Sequence, residues 1–288
     1  MPALALAAVL LAALMHATWN LAAKRAAGSH HFVWLYSAGT VLLYLPIVAW
    51  IVLTTRPQFT AVHWLALAVT GVLHIVYSLM LQAGYRASDL SLVYPLARGS
   101  GPLLSFFLAV MLLGEDISWI SVLGVLLVVG GIVLVSGLFN AQHRAPRAGV
   151  LYGLGTGLCI AAYTVNDGWA VKVLLISPFI VDYSGNLLRL VLLGPRAWRD
   201  RGRLLDECRT YWRPVVIVSV LGPLGYILVL YAMQLAPISH VAPARELSTL
   251  IGAWFGARML QEKAAPARLA GAACIVAGVI SLALATPG

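Results

Sequence analysis

The sequence predicts an all-α membrane protein of about ten transmembrane helices in two inverted five-helix repeats, and three observations carry that prediction. First, 61% of the 288 residues are hydrophobic, only 10% are charged, and mean hydropathy is +0.91. A soluble domain of this length could not hide so much apolar surface. Second, nearly every stretch between charge clusters is an apolar run of roughly 18 to 25 residues, the length a helix needs to cross a bilayer. The runs lack strict alternation, which argues against a transmembrane β-barrel. Third, the chain repeats itself. Arg98 and Arg245 are 147 positions apart, as are Glu115 and Glu262, Gly124 and Gly271, and Gly131 and Gly278; Thr18/Thr164 and Asn20/Asn166 are 146 apart. One matched glycine means little among 26, but arginines and glutamates are scarce here, and their agreement in register is hard to dismiss.

The predicted spans lie near 3–22, 32–54, 62–85, 89–112, 117–138, 149–171, 174–194, 213–235, 238–260 and 265–286. The first resembles a secretory signal peptide in its small apolar residues. It lacks the basic segment that opens one, and it carries Thr18 and Asn20 of the repeat, so it is expected to be retained. Trp50 closes the second span, Trp64 opens the third and Trp119 the fifth, where interfacial tryptophans belong. A short turn over 86–89 joins the third and fourth spans, and one around Pro237 joins the eighth and ninth. In the fourth, Pro95 and Pro102 with Gly99 and Gly101 between them predict a kink or break; HVAPARELSTLIG in the ninth repeats this around Pro243. Glu115 and Glu262 end these two spans, suited to an interfacial or cation-paired role in topology or gating. Gly149, Gly153 and Gly157 in the sixth span, and Gly252 and Gly256 in the ninth, form small-xxx-small faces for close helix packing. Trp198 follows the seventh span and Trp212 precedes the eighth, near the two ends of a basic loop over 195–214. The tenth contains Gly271, Cys274 and Gly278.

The first repeat is assigned to residues 1–140, a linker loop to 141–148 and the second repeat to 149–288. Five spans per repeat is an odd number, so the second must enter the membrane from the opposite side. The repeats are then related by a pseudo-two-fold axis in the membrane plane, with a binding site expected near the midplane on that axis. Loops after odd-numbered spans, with the span ends that adjoin them, hold fourteen of the 19 basic residues, while the other face has only Arg56 and Lys172. By the positive-inside rule this count puts both termini outside the cytoplasm. The net charge of +9 does not point to nucleic acid, because the cations sit in short loops, where they anchor to anionic headgroups of the bilayer. The three cysteines, Cys159, Cys208 and Cys274, have no disulfide or metal spacing. No nucleotide-binding loop is visible, no cofactor is expected, and the chain is read as a monomer or homodimer.

An arginine at mid-bilayer costs at least ~2.5–3.5 kcal/mol on insertion scales and so faces a partner or a wet cavity. Tyr94, Arg98, Gly101 and Ser105 follow one another at helical spacing and form a polar stripe on the fourth span. Arg98 and Arg245 are candidates to bind a substrate carboxylate or phosphate through their planar forks. The competing reading is a fixed ion pair with Asp167 or Glu246, which does not exclude a place in the cavity. Asp167 and Glu246 are the proton-coupling candidates, since a carboxylate in a dry site can be pushed towards neutral pKa. His16, Trp19 and Asn20 share a face of the first span, and Tyr163, Asn166 and Asp167 recur at equivalent places in the sixth. His74, Tyr77 and Tyr85 stripe the third span, with Tyr226 at similar depth in the eighth; such aromatics stack on a ring, cradle an ammonium group or simply pack. The substrate-binding set is therefore His16, Trp19, Asn20, Tyr77, Tyr94, Arg98, Tyr163, Asn166, Tyr226 and Arg245.

HATWNLAAK in the first span, YPLARGSGPLLSFFLAVMLLGE in the fourth and YAMQLAPISHVAPARELSTLIGAWFGARMLQE in the eighth and ninth resemble the drug/metabolite transporter superfamily, in its ten-helix EamA branch. The resemblance covers essentially the whole chain. It implies a 5+5 inverted repeat around a central cavity, alternating access, and export of amino acids or other small metabolites from a bacterial cytoplasmic (inner) membrane. It also implies cytoplasmic termini, opposite to the charge count. HATWN departs from the first span of the aromatic amino-acid exporters of that group, so their substrate does not carry over.

The leading expectation is a secondary transporter, an exporter, of a small anionic or zwitterionic metabolite, driven by protons or exchange. A lipid or glycolipid flippase shares the fold, and a lateral opening lined by apolar residues would favour it. An intramembrane enzyme, with Ser100 as nucleophile and His240 as base, is the remote third; the residue two before Ser100 is Arg98 where glycine is usual in such serine sites.

Overall fold

The computed structural model describes residues 1–26, 29, 31–88, 90–136, 147–251 and 266–285. Its elements are α1 (Ala3–Lys24), α2 (Phe32–Thr55), α3 (Ala61–Ala87), α4 (Leu90–Leu113), α5 (Trp119–Ser136), α6 (Arg147–Lys172), α7 (Pro178–Arg199), α8 (Arg201–Leu235), α9 (Ile238–Ala244) and α10 (Pro266–Leu284), and no strand occurs among the described residues. Six of these helices, α1, α2, α3, α4, α6 and α8, are long and apolar enough to cross a membrane. The hairpin turns arise where expected, at Ser88 between α3 and α4 and at Ala236–Pro237 between α8 and α9.

The inversion is visible in how helices pair. α5 packs along α10, α2 on α7, α1 on α8 and α3 on α6. Exchanging the two halves turns the α1–α8 pair into α6–α3 and leaves α2–α7 and α5–α10 unchanged, as a two-fold axis requires. The glycines give the direction. Gly124 meets the carbonyl of Gly278, and Gly131 meets that of Gly271, so residue numbers rise on one helix as they fall on the other. Because Gly124 is equivalent to Gly271 and Gly131 to Gly278, each contact is the image of the other. Two equivalent helices that lie antiparallel across their own symmetry axis belong to inverted repeats. With no Cβ at these four places the backbones approach closely, which is how apolar helices gain packing when the lipid is as apolar as they are.

Gly149, Gly153 and Gly157 do the same for α6. A methyl group at these positions would strike Ser88, Leu96 and Ser100 respectively, so the glycine face receives α4 and the turn before it. Gly252, Gly256 and Glu262 lie outside the described residues.

Three expectations change. The fourth span, expected to kink or break, continues as helix through Arg98 and Pro102 without a break, packed along the glycine face of α6. The ninth span is broken: α9 lasts seven residues, the chain turns at Arg245 and Glu246, and helix resumes over 247–251. There the bonding tightens, with Glu246 N–H donating to the Pro243 carbonyl (3.0 Å), Ser248 to Arg245 (3.1 Å) and Thr249 to Glu246 (2.8 Å), each a three-residue step. Finally, the basic 195–214 segment is not a loop. α7 runs on to Arg199, and α8 opens with about three basic turns before a kink at Tyr211, whose φ of −109° and ψ of 18° leave the helical region. Pro214, three residues on, accounts for the kink. Exposed Trp198, Leu205 and Trp212 among the arginines suit a helix lying in the headgroup layer. Glu207 clips it to the α1–α2 connection, accepting from Ser29 Oγ (2.6 Å) and the His31 N–H (3.0 Å).

Candidate functional site

Arg98 and Arg245, the matched arginines of the two repeats, meet on one carboxylate. Arg98 Nε lies 3.1 Å from Glu246 Oε2, and Arg245 Nε lies 3.5 Å from Glu246 Oε1. Glu246 is fully buried, and Thr249 Oγ1 donates to its Oε2 at 3.1 Å. Arg98 also reaches Ser248 Oγ at 3.4 Å. Of the two ion-pair partners considered for the arginines, Glu246 is the one that forms. The geometry depends on the break after α9: the three-residue steps bring Glu246, Ser248 and Thr249 round to one carboxylate cluster facing α4.

Beneath this cluster lies an aromatic layer. The Arg245 guanidinium sits 5.9 Å over the ring centroid of Tyr163, which stacks on His74 at 4.2 Å and meets Tyr77 edge-on at 5.8 Å and Tyr226 at 6.4 Å. One turn along α6 from Tyr163, the fully buried Asp167 accepts from Thr70 Oγ1 (2.5 Å), Tyr226 OH (2.5 Å) and Asn166 Nδ2 (3.3 Å). Three donors thus converge on this one carboxylate from α3, α6 and α8. Asn166 spends its amide further on the Ala66 carbonyl (3.1 Å) and Thr70 Oγ1 (2.9 Å). The two clusters share Tyr163, which places Arg98, Arg245, Glu246, Tyr77, Tyr163, Tyr226, Asn166 and Asp167 in one continuous polar and aromatic network spanning both repeats.

The first span departs from its partner. Asn20 is exposed and gives its amide to the His16 carbonyl of its own helix at 2.7 Å, whereas Asn166 crosses to α3. Trp19 Nε1 donates to His16 Nδ1 at 2.9 Å, a pairing within α1. His16 itself faces Gly225 of α8, where the missing side chain lets α1 approach. The Tyr94 and Tyr85 side chains lie outside the described residues. Ser100 and His240 do not approach one another as nucleophile and base: Ser100 Oγ donates to the Leu96 carbonyl (2.5 Å), and His240 Nε2 pairs with Ser121 Oγ (2.8 Å).

Thr70 and Ser248 were missed as site residues by sequence reasoning, since a single hydroxyl in an apolar run carries no signal. His74 was placed on the α3 stripe but not in the binding set, although it stacks on the central tyrosine.

Glu115 has the cation-paired role expected of it and one more. Gly114, with a φ of +66° that glycine adopts freely, ends α4 and turns the chain towards α9. The Glu115 carboxylate then accepts the N–H groups of Ile238 (2.7 Å) and Ser239 (2.9 Å) at the α9 N-terminus and pairs with Lys172 Nζ at 3.2 Å. Burial would raise its pKa, but the Ser239 and Ile238 donors and the Lys172 ammonium outweigh it and hold the carboxyl below the ordinary value. A depressed folded-state pKa stabilises the fold above the unfolded value of 4.5, and that contribution fades as pH falls below it. Glu115→Gln is expected to lower stability at pH 7 by about 1–2 kcal/mol and to flatten the acid limb of a thermal-unfolding series. An unchanged acid limb would refute the capping role.

The EamA-like transporter family model matches residues 3–137 and 147–284. A crystal structure described only as "Crystal structure of protein" aligns with a TM-score of 0.75 over 97% of this chain and 96% of that one, at 16% identity, a likeness of fold alone. A comparison with curated proteins finds no match. With a family match over both helical halves, and with those halves paired about a two-fold axis, the chain belongs to the EamA-like transporter family and is a membrane transporter.

Proposed function

We propose that this chain is a secondary active transporter that exports a small anionic or zwitterionic metabolite, such as an amino acid or a related compound, across a bacterial cytoplasmic membrane. The observation that carries this reading is the shared carboxylate: Glu246 occupies, between Arg98 and Arg245, the position a substrate carboxylate or phosphate would take. A substrate anion entering there competes with Glu246 for two guanidinium forks, and protonating Glu246 removes the competitor. Anion binding and proton uptake are thereby linked at one site, and the linkage reaches both repeats because each contributes one arginine. The broken α9 lets that site open and reform as the repeats rock, in the manner of interrupted transporter helices. Tyr163, Tyr77 and Tyr226 supply a wall for the rest of the substrate, and Asp167 is the second carboxylate available for coupling.

A thermal-shift screen of the purified chain against amino acids, phosphonates and organic acids, followed by flux into proteoliposomes, tests the reading. Saturable flux of a soluble anion or zwitterion is expected. Movement of a labelled phospholipid with no flux of any soluble anion would replace it with the flippase reading. Coupling has its own test. Glu246→Gln cannot take up a proton, so it is expected to keep substrate exchange while losing accumulation driven by a pH gradient at least about tenfold. If Glu246→Gln accumulates normally and Asp167→Asn does not, the coupling role moves to Asp167.

A further inference from the structure

A second cationic site lies away from the Arg98–Glu246–Arg245 cluster. α7 packs on both α2 and α3, and a cleft of about 560 Å³, its open mouth included, is lined by His31 and Trp34 of the α2 end, Ser78 of α3, and Arg189 and Arg196 of α7. Arg189 and Arg196 are seven residues apart, two turns on one face of α7. Arg189 is only 9% exposed. Its Nη1 donates to Tyr36 OH (3.0 Å) and Asn186 Oδ1 (3.4 Å), its guanidinium stands 5.7 Å over the Tyr36 ring, and its Nε has no hydrogen-bond partner. No carboxylate of the described residues lies within 4.0 Å of it. The nearest acid on its own helix, Asp182, attracts it through space and is linked to it by Asn186, whose Nδ2 donates to Asp182 Oδ2 at 3.1 Å, but makes no direct ion pair with it. Of the remaining charges at this cleft, Asp200 is engaged by His31 at 3.6 Å, and Arg196 stands exposed at the mouth.

A buried guanidinium with an unused N–H, no direct counter-ion, and a second guanidinium two turns above it on the same cleft wall is an arrangement that lacks its anion. Burying such a cation without compensation is costly, and a helix span tolerates it where a partner or wet cavity is supplied. We infer that this cleft binds an anionic oxygen group, a carboxylate or a phosphate, between Arg189 and Arg196, with Ser78 and Trp34 beside them and apolar side chains of α2, α3 and α7 completing the wall. The cleft opens at the ends of α2, α3 and α7 that adjoin the basic connections, where anions concentrate. Its inner end adjoins the aromatic layer: Ser78 Oγ donates to the carbonyl of His74, the residue stacked on Tyr163. The site is therefore an anion-docking vestibule one helical turn from the central network. Its binding chemistry stands whether or not Arg98 and Arg245 hold substrate. A free small anion and the headgroup of an anionic lipid present the same phosphate chemistry, and the two sources separate by experiment.

The full chain in neutral detergent is titrated calorimetrically with inorganic phosphate and, separately, with dihexanoyl phosphatidylglycerol. Wild-type protein is expected to bind at least one probe, and Arg189→Gln and Arg196→Gln are each expected to weaken that binding about tenfold or more. Arg196 is exposed, so loss in Arg196→Gln does not reflect a failed fold. Arg98→Gln is expected to leave the affinity of this site unchanged, which separates it from the proposed central site. Binding of phosphate assigns the cleft to free anions, and binding of phosphatidylglycerol alone assigns it to a lipid headgroup. Absence of binding to both probes, or equal affinities in wild type, Arg189→Gln and Arg196→Gln, overturns the inference.

Discussion

Arg98→Ala and Arg245→Ala are each expected to reduce substrate flux in proteoliposomes at least about 100-fold, the loss of roughly two charge-assisted hydrogen bonds to the transported anion. Lysine in either place is expected to rescue only partly, since an ammonium cannot reproduce the planar fork. The two variants should behave alike although they lie in different repeats, because the arginines act on one acceptor position. Glu246 keeps one guanidinium in either single variant, so the protein remains foldable, and a thermal-unfolding measurement checks this. The double variant leaves a fully buried carboxylate without either arginine that faces it, and is expected to lose several kcal/mol of stability, about the 3–5 kcal/mol of a broken buried pair. Normal flux by both single variants would remove the arginines from the site.

The second large effect concerns the fold itself and reverses sign between neighbours. A Cβ at Gly131 would sit 2.6 Å from the Gly271 carbonyl oxygen and 2.9 Å from the Ile275 nitrogen, both backbone atoms, so α5 and α10 must move apart to accept it. At Gly130 a Cβ meets nothing within 4 Å. Gly131→Ala is therefore expected to destabilise by about 2 kcal/mol or more, whereas Gly130→Ala is expected to range from neutral to about 1 kcal/mol stabilising through helix propensity. Gly278→Ala, at the symmetry-related contact with Gly124, should match Gly131→Ala. Equal stabilities for Gly130→Ala and Gly131→Ala would show that the glycine seam does not hold the repeats together.

These two predictions differ in how much of each was legible beforehand. The duplication announced Arg98 with Arg245, and Gly131 with Gly278, at equal spacing. It could not say whether equivalent residues touch. The glycines do not pair with their equivalents: Gly131 meets Gly271, because antiparallel helices crossing their own axis reverse the register. The arginines do converge, but through Glu246, which one repeat has and the other lacks, Gly99 standing in its place. Asn20 and Asn166 match in sequence and diverge in use, one bonded within its own helix and the other crossing to α3. Local symmetry of sequence is thus a guide to which residues are special and a poor guide to their partners.

The helix breaks show the same division. Proline and glycine in the fourth and ninth spans predicted a kink or break in each, and a break in the helix occurs in the ninth. Local propensity is similar in both, so tertiary packing decided the difference: α4 lies along the glycine face of α6, while α9 is anchored at its start by Glu115. The basic segment before α8 was read as a loop because charge density marks connections in a membrane protein. Its helicity follows from the apolar residues interspersed among the arginines, a pattern that a bilayer surface supports.

Composition, run length and the internal repeat by themselves determined that this chain is an all-helical membrane protein made of two inverted halves, because the bilayer permits few ways to satisfy a buried backbone and an odd repeat must invert. Which carboxylate faces which arginine, that Asp167 is held by Thr70 and Tyr226, and that Arg189 lines a cleft without a direct ion pair among the described residues were decided only by the tertiary structure. These are contacts between residues far apart in the chain, and their energies depend on distances of a few ångströms that no spacing along the sequence encodes.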